Sequence, residues 1–257
     1  MANDRKASYG IDAPSAPVGM ILGAIALIGV GIGFVIMAGW WAAFPFAGAA
    51  FEIAQAVSYL YATKKGKFLA WERLLDRLEL RGDEQILDAG CGRGMVLIAA
   101  AKRVPEGKVT GVDLWRTKDQ SGNAESATMA NAEAEGVADR VELRTADLRE
   151  LPWKKARFDV VLSAAVFHNL KGAEERKAAV TEAARVLKPG GKLVIADIGR
   201  TKEYVEALTE AGLENITRSS GGLGYNYGLI MQSMVVTATQ PGKPAQPVKA
   251  SKRAGAS

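Results

Sequence analysis

A glycine-rich turn in the first half of the chain limits the possible folds more than any other feature. The segment 86–94 reads ILDAGCGRG: an apolar run ends in Asp88, and three glycines then follow at alternate positions. These are Gly90, Gly92 and Gly94. Glycine lets backbone amides approach a ligand where a Cβ atom would clash. A helical segment comes next, so the pattern predicts a buried strand, a tight nucleotide-binding turn and the start of a helix.

The spacing of the glycines separates two classes of nucleotide-binding protein. A dinucleotide-binding turn requires G-x-G-x-x-G, and its third glycine would fall at position 95, where this chain has Met95. The G-x-G-x-G spacing therefore disfavours a nicotinamide-dependent oxidoreductase. Cys91, the only cysteine, lies within the turn. No internal disulfide can form, which fits a reducing compartment.

From Glu84 onward, segments typical of strands alternate with segments typical of helices. The predicted strands are 85–88, 108–113, 140–146, 158–163, 192–197, 214–218 and 229–237. The predicted helices between them are 93–103, 123–135, 173–187 and 202–211. This alternation predicts an α/β, Rossmann-like fold with a doubly wound, mostly parallel sheet of seven strands.

Acidic residues stand where several of the predicted strands end. In an open α/β sheet, ligands bind beyond the carboxyl ends of the strands. Asp113 ends the second strand and can accept hydrogen bonds from two ribose hydroxyls. Asp147 ends the third strand and can accept from an adenine amine, while the amide of Leu148 can donate to a ring nitrogen. Ordinary capping of strand ends explains any one of these acids alone, but not all of them in order.

Together these motifs resemble those of the class I S-adenosylmethionine-dependent methyltransferases, across residues 85–237. The segment 185–191, RVLKPGG, also resembles the family's junction between a helix and the fifth strand. The resemblance implies S-adenosylmethionine as the cofactor, with its methionine part at the glycine turn, its ribose at Asp113 and its adenine at Asp147 and Leu148. The full set of cofactor-binding residues implied is Asp88, Gly90, Cys91, Gly92, Gly94, Asp113, Leu114, Asp147, Leu148 and Ser163. No metal site is expected.

His168, the only histidine, is the candidate catalytic base. It lies just past the fourth strand, where the substrate pocket opens in this fold, and histidine titrates near neutral pH. A base helps methyl transfer to hydroxyls and activated carbons. The alternative is that His168 packs beside the cofactor and hydrogen-bonds a loop. Asn169 is a candidate substrate contact, and Tyr225 and Tyr227 either contact substrate or form a hairpin turn.

The chain has no charged residue from 13 to 51, and its apolar core, 18–37, is long enough to cross a bilayer. A second apolar stretch, 46–62, contains Glu52 and Gln55 and is a weaker candidate, because a charge in mid-membrane costs about 2.5–3.5 kcal/mol. Glycine pairs at positions 19 and 23, and 29 and 33, would let another helix approach, including one from a second copy. Small residues are also simply common in membrane helices.

The flanks of the two apolar stretches predict a transmembrane helical hairpin with both ends in the cytoplasm. Trp40 and Trp41, followed by Pro45, are typical of an interfacial turn, and the lysines of 64–67 are typical of a cytoplasmic exit. One span plus an interfacial helix is an alternative. A cleaved signal peptide is another, although its apolar region normally has only about 7–15 residues.

These features divide the chain into five parts. Phe68, Trp71 and Leu75 share one helical face and predict a helix that packs on the domain that follows; closure over the cofactor and a position on the membrane surface are the alternatives. The predicted parts are a disordered N-terminus (1–16), a transmembrane helical hairpin (17–63), an amphipathic linker helix (64–83), a class I methyltransferase domain (84–239) and a disordered basic tail (240–257).

The expected function is methyl transfer at the cytoplasmic face of the cell membrane, to a small or lipidic acceptor. The expected partners are the lipid bilayer, this acceptor and, through the membrane helices, a second copy of the chain. The net charge of +5 comes mainly from the ends of the chain, which argues against a nucleic-acid partner. The alternatives are a soluble acceptor, or a membrane regulator that binds the cofactor without catalysis.

Overall fold

A seven-stranded mixed sheet forms the centre of the protein, in a computed structural model that describes residues 6–242. The strands run in the order β3-β2-β1-β4-β5-β7-β6. The first five are parallel, and β7 is antiparallel to both of its neighbours. Their bounds are β1 Gln85–Ala89, β2 Lys108–Asp113, β3 Val141–Thr145, β4 Phe158–Ala164, β5 Leu187–Ile198, β6 Glu214–Ser220 and β7 Ser233–Thr239. The expected α/β, Rossmann-like architecture is confirmed.

Helices cover both faces of the sheet and bury two apolar layers. Trp71, Leu97 and Ala132 pack in one layer, and Val180 and Tyr204 pack in the other. Because both faces are covered, the central strands are apolar throughout rather than alternating. The helices are α1 Ser15–Ala38, α2 Ala43–Tyr61, α3 Lys67–Asp76, α4 Met95–Ala101, α5 Glu125–Ala134, α6 Ala173–Arg185 and α7 Thr201–Glu210.

Two strands begin away from their predicted positions. β5 begins at Leu187 instead of residue 192, because Leu187 pairs with Phe158 before the turn at 189–191. β7 begins at Ser233 instead of residue 229, because a short 3-10 turn and a tight loop occupy the preceding segment. Periodicity alone does not distinguish such a loop from the start of a strand.

α1 and α2 form an antiparallel hairpin joined by a 3-10 turn at Gly39–Ala42. Gly31 faces Phe46, and Gly48 faces Leu27, so glycines allow the two helices to approach closely. α1 has 24 residues and spans about 36 Å, with most of its apolar side chains exposed. Of the described helices, only α1 is long and apolar enough to cross a membrane.

The base of the hairpin continues into the domain without a break. A π-helical turn, Ala62–Gly66, joins α2 to α3, and Trp71 and Leu75 of α3 are fully buried against the core. The expected packing of the linker helix is confirmed, although α3 ends at Asp76. The interpretation of all the lysines in 64–67 as exit residues is wrong for Lys67, which is buried.

The expectation of disorder across 1–16 is wrong for the described part of that segment. The backbone amides of Lys6 and Ala7 donate to Glu135, Tyr9 is buried, and α1 already begins at Ser15. The polar segment is ordered because α5 and its neighbours supply hydrogen-bond partners, which its composition could not indicate. Residues 1–5 and 243–257 lie outside the described part of the chain, so the expected disorder there stays a prediction.

We predict that Gly66→Ala destabilises the domain by about 1–3 kcal/mol, the usual cost of overpacking. Gly66 has helical backbone angles, so alanine suits the backbone, but its Cβ would overlap the carbonyl oxygen of Gly224. The control is Gly29→Ala in α1, where a Cβ meets nothing within 4 Å. Thermal unfolding of both variants checks this. Equal melting temperatures would show that the contact between Gly66 and Gly224 carries no stability.

Candidate active site

The glycine turn joins β1 to α4 and is held against the end of β2. The amides of Gly90 and Cys91 both donate to the carbonyl of Val112, at 2.7 and 3.1 Å. Gly90 has a φ of +79°, and a Cβ there would overlap the methyl groups of Val166. Glycine is therefore required at this position on two grounds, backbone conformation and space.

A cavity of about 300 Å³ opens beyond the carboxyl ends of β1, β2 and β4, beside the glycine turn. Most of the residues singled out in the sequence line it. They are Asp88, Gly90, Cys91, Gly92, Asp113, Leu114, Asp147, Leu148, His168, Asn169, Tyr225 and Tyr227. The chain brings these residues together from five separate loops, which is the arrangement expected of a nucleotide site in an open α/β sheet.

Two of the predicted cofactor residues are not on the cavity wall. The hydroxyl of Ser163 is buried and donates to the carbonyl of Ala89 at 2.9 Å, which ties β4 to β1. Its hydroxyl thus already has a partner within the sheet, and the assignment of Ser163 to the cofactor stays a prediction. Gly94 precedes α4 with a φ of +84°, and its amide donates to the carbonyl of Cys91. Gly94 is thus a left-handed residue within the turn, and α4 begins directly after it, at Met95.

Asp88 presents an unsatisfied carboxyl group to the cavity. It is buried, and neither of its oxygens has a hydrogen-bond partner among the described residues. Burial raises the pKa of Asp88 to about 8, although the nearby backbone amide of Leu97 lowers it and the negative charge of Asp113 adds a smaller increase. A buried polar group without a partner is costly, and a ligand that donates hydrogen bonds would remove that cost. The cationic amino group of a methionine moiety fits this requirement.

Asp113 links the glycine turn to the loop after β2. One carboxylate oxygen accepts from the amide of Gly92 at 2.9 Å, and the other accepts from the amide of Trp115 at 2.6 Å. Asn123 adds a weaker contact at 3.3 Å. An ionised carboxylate has about four lone-pair sites, so Asp113 retains acceptor capacity on the cavity side. Ribose hydroxyls fit this acceptor.

Asp147 and Leu148 form the far wall of the cavity. Arg149 holds the carboxylate of Asp147 by an ion pair at 2.6 Å and lowers the pKa of Asp147. Asp147 therefore stays ionised and can accept a hydrogen bond, while the Leu148 side chain beside it is buried. A hydrogen-bond acceptor beside an apolar surface fits an adenine ring.

His168 is held by a buried carboxylate that the sequence did not indicate. Its Nδ1 contacts Asp197, and its backbone amide donates to the same carboxylate at 3.1 Å. Asp197 also accepts from the hydroxyl of Tyr204 at 3.0 Å and from the amide of Ile198 at 2.7 Å. Burial lowers the pKa of His168, but the hydrogen bond and the charge of Asp197 outweigh it, so the pKa lies above its ordinary value.

Tyr225 and Tyr227 line the cavity, but their hydroxyl groups already have partners. The indole of Trp71 donates to the hydroxyl of Tyr225 at 3.1 Å, and the hydroxyl of Tyr227 donates to Asp12 at 2.8 Å. These tyrosines therefore offer mainly their rings to a substrate. Asn169 also lies on the wall, in the same 3-10 turn as His168.

The residues that close the cavity on the hairpin side were missed in the sequence. Asp12, which is partly exposed, forms an ion pair with the buried Lys67 at 2.7 Å, and Thr63 and Gln120 also donate to its carboxylate. Despite burial, which raises it, these contacts keep the pKa of Asp12 below its usual value. Gln120 in turn accepts from the amide of Arg93 at 2.8 Å, which connects Asp12 to the glycine turn. Asp12 and Lys67 are 55 residues apart, and no local pattern pairs them.

Comparisons with known proteins agree with this geometry. Residues 87–195 match the family model described as a methyltransferase domain. A sterol 4-C-methyltransferase from Caenorhabditis elegans is 33% identical over 131 residues, which cover 51% of this chain and 36% of that protein. The 27-O-demethylrifamycin SV methyltransferase of Amycolatopsis mediterranei is 35% identical over 145 residues, 56% of this chain and 47% of that protein. The match thus spans less than half the length of either relative.

A solved structure shows that the fold is shared. Geranyl diphosphate C-methyltransferase from Streptomyces coelicolor A3(2), in complex with Mg²⁺, geranyl diphosphate and S-adenosyl-L-homocysteine, has a TM-score of 0.55 to this chain. The alignment covers 68% of this chain and 79% of that one at 19% identity, a level that shows the fold alone.

We predict that Asp113→Asn weakens binding of S-adenosylhomocysteine at least tenfold, because a hydrogen bond to a charged group contributes about 1.5–3 kcal/mol. The amide has nearly the shape of the carboxylate, but its NH₂ group cannot accept, so the amide of Gly92 or of Trp115 also loses its acceptor. Asp139→Asn, in a surface ion pair with Arg140, is the control. Isothermal titration calorimetry measures the affinity. Equal affinities for the two variants would remove Asp113 from the ribose site.

The orphan carboxyl of Asp88, the glycine turn and the acceptors at Asp113 and Asp147 all fit one nucleoside ligand. The family match covers the same segment of the chain. Residues 87–195 thus match a methyltransferase domain, and the polar groups of the cavity fit S-adenosylmethionine as its cofactor.

Proposed function

We propose that this chain is a membrane-anchored methyltransferase that methylates a bilayer-borne acceptor at the cytoplasmic face of the cell membrane. One observation carries this proposal: the cavity wall is built jointly by the cofactor motifs and by both ends of the helical hairpin. Asp12, Ala13 and Ser15 lie where α1 begins, Tyr59 and Lys67 lie where α2 ends, and all of them line the cavity.

The hairpin has the features of a membrane anchor. α1 is uncharged and apolar on all sides, and Trp40 and Trp41 are exposed at the turn farthest from the sheet. Lys64 and Lys65 are exposed at the opposite end, which favours the cytoplasmic side for the catalytic domain. Because α2 runs antiparallel against α1, we infer that both helices enter the bilayer. Glu52 lies beside Gly23 of α1, which supports its shielding from lipid.

The position of the cavity supports a lipidic acceptor. A lipid that diffuses along the hairpin reaches the cavity at its base without crossing water. One relative is named for methylation of a sterol, which is a membrane lipid. A soluble acceptor is the second candidate, because another relative is named for methylation of 27-O-demethylrifamycin SV.

The His168–Asp197 pair supports an acceptor that must lose a proton, such as a hydroxyl group or an activated carbon. Bound S-adenosylmethionine supplies a methyl group on a sulfonium, which is a very good leaving group. Asp197 accepts a hydrogen bond from the Nδ1–H group, and this leaves the lone pair of Nε2 of His168 free to remove a proton from the acceptor. The cavity walls align the acceptor and exclude water.

We predict that the rate of methyl transfer rises with pH through the pKa of His168, because only neutral imidazole acts as a base. Asp197→Asn removes the charge that raises this pKa, so the midpoint of the rate profile moves to lower pH. His168→Ala lowers kcat about a hundredfold or more. Cofactor affinity serves as the control and stays unchanged in both variants. A profile that Asp197→Asn does not move would contradict the role of the pair.

We also predict that the full chain, reconstituted in vesicles of total membrane lipid with methyl-labelled S-adenosylmethionine, transfers label into the organic extract. Addition of a soluble cell extract tests the second candidate in parallel. Asp113→Asn is the control for label that does not depend on bound cofactor. Label found only in the aqueous fraction would overturn the lipidic acceptor and leave the methyltransferase assignment intact.

A further inference from the structure

The large apolar side chains that are exposed outside the hairpin are concentrated in one loop. Among the described residues they are five, and one of these, Leu114, belongs to the cavity wall. The other four lie in the segment 221–232 between β6 and β7, which we call the apolar loop. Their exposed fractions are 90% for Leu223, 53% for Leu229, 67% for Ile230 and 39% for Met231. The apolar loop contains no charged residue.

The apolar loop contacts the C-terminal half of α2. The amide of Leu229 donates to the side chain of Gln55, and Gly228 packs against the same side chain. Gln55 lies six residues before the end of α2 at Tyr61, about 9 Å along the helix axis. The tip of the loop therefore stands level with a part of α2 that the proposed anchor places in the bilayer.

The same loop forms part of the cavity wall. Tyr225 and Tyr227 point inward and are buried, while their neighbours Leu223 and Leu229 are exposed on the outside. A bridge between Tyr227 and Met231 closes the tip into a tight turn. The base of the loop is fixed as well, since Ser233 bonds to the loop backbone at Tyr225. The outward side chains are thus rigidly coupled to the wall of the active site.

We propose that Leu223 and the tip residues 229–231 insert into the bilayer interface as a second membrane contact, separate from the hairpin. Exposed apolar patches on a soluble surface are unfavourable and mark interaction sites. The occupant is lipid because the loop packs against α2 of the proposed anchor and contains no charged residue. The inference rests on the proposed anchoring of the hairpin. It places the cavity mouth at the level of the lipid headgroups.

The test uses a polarity-sensitive fluorophore attached to cysteines introduced in the full chain. Ile230→Cys reports on the apolar loop and Ile36→Cys reports on α1. Glu106→Cys reports on the exposed turn before β2, at the amino ends of the strands, opposite the cavity. Cys91, the only native cysteine, is buried, so labelling of the unmodified protein gives the background. Each labelled protein is reconstituted in phosphatidylcholine–phosphatidylglycerol vesicles with and without lipids that carry a nitroxide quencher.

The expected result is a blue shift and quenching for the labels at Ile230→Cys and Ile36→Cys, and neither change for Glu106→Cys. Quenching at Ile36→Cys alone would overturn the loop contact and leave the anchor standing. Absence of quenching at both positions would overturn the anchor and the loop contact together. If the label at Ile230→Cys is not quenched and the unlabelled variant forms disulfide-linked dimers on oxidation, a second copy of the chain, not lipid, covers the loop.

Discussion

The partly buried ion pair between Asp12 and Lys67 holds the hairpin against the cavity beside the glycine turn. Removal of two charges from water is costly, and such a pair is tolerated only when additional hydrogen bonds complete it. Here Thr63, Tyr227 and Gln120 complete it. These five residues come from the N-terminal segment, the π-helical turn, α3, the apolar loop and the loop after β2. The ion pair thus joins the anchor, the active-site wall and, through Gln120, the glycine turn.

The cofactor half of the site was predictable because its signals are local. The glycine turn, Asp113 and Asp147 each follow an apolar strand, and the carboxyl ends of parallel strands meet at one edge of a sheet. Ser163 satisfied the same positional rule but is not on the cavity wall, because its hydroxyl turns toward the carbonyl of Ala89. A strand-end position indicates which edge a residue reaches, but its neighbours decide where the side chain points.

The acceptor half was predictable only in part, because it depends on contacts between distant segments. His168 was identified from its place after β4, but Asp197, which orients it, looks like an ordinary end of strand β5. The order of residues 6–14 depends on partners in α5 more than 100 residues away. For these features, packing between elements decides the structure, and residue patterns within one element carry no signal.

The π-helical turn at Ala62–Gly66 has a mechanical consequence. The backbone is helical without interruption from Ala43 to Asp76, so no flexible linker separates α2 from the helix that carries Trp71. A helix adapts to a thinner membrane by tilting. In the proposed membrane-anchored arrangement, a tilt of α2 would therefore move Trp71 and Tyr225, its hydrogen-bond partner in the cavity wall. The shape of the cavity would then depend on the thickness of the surrounding membrane.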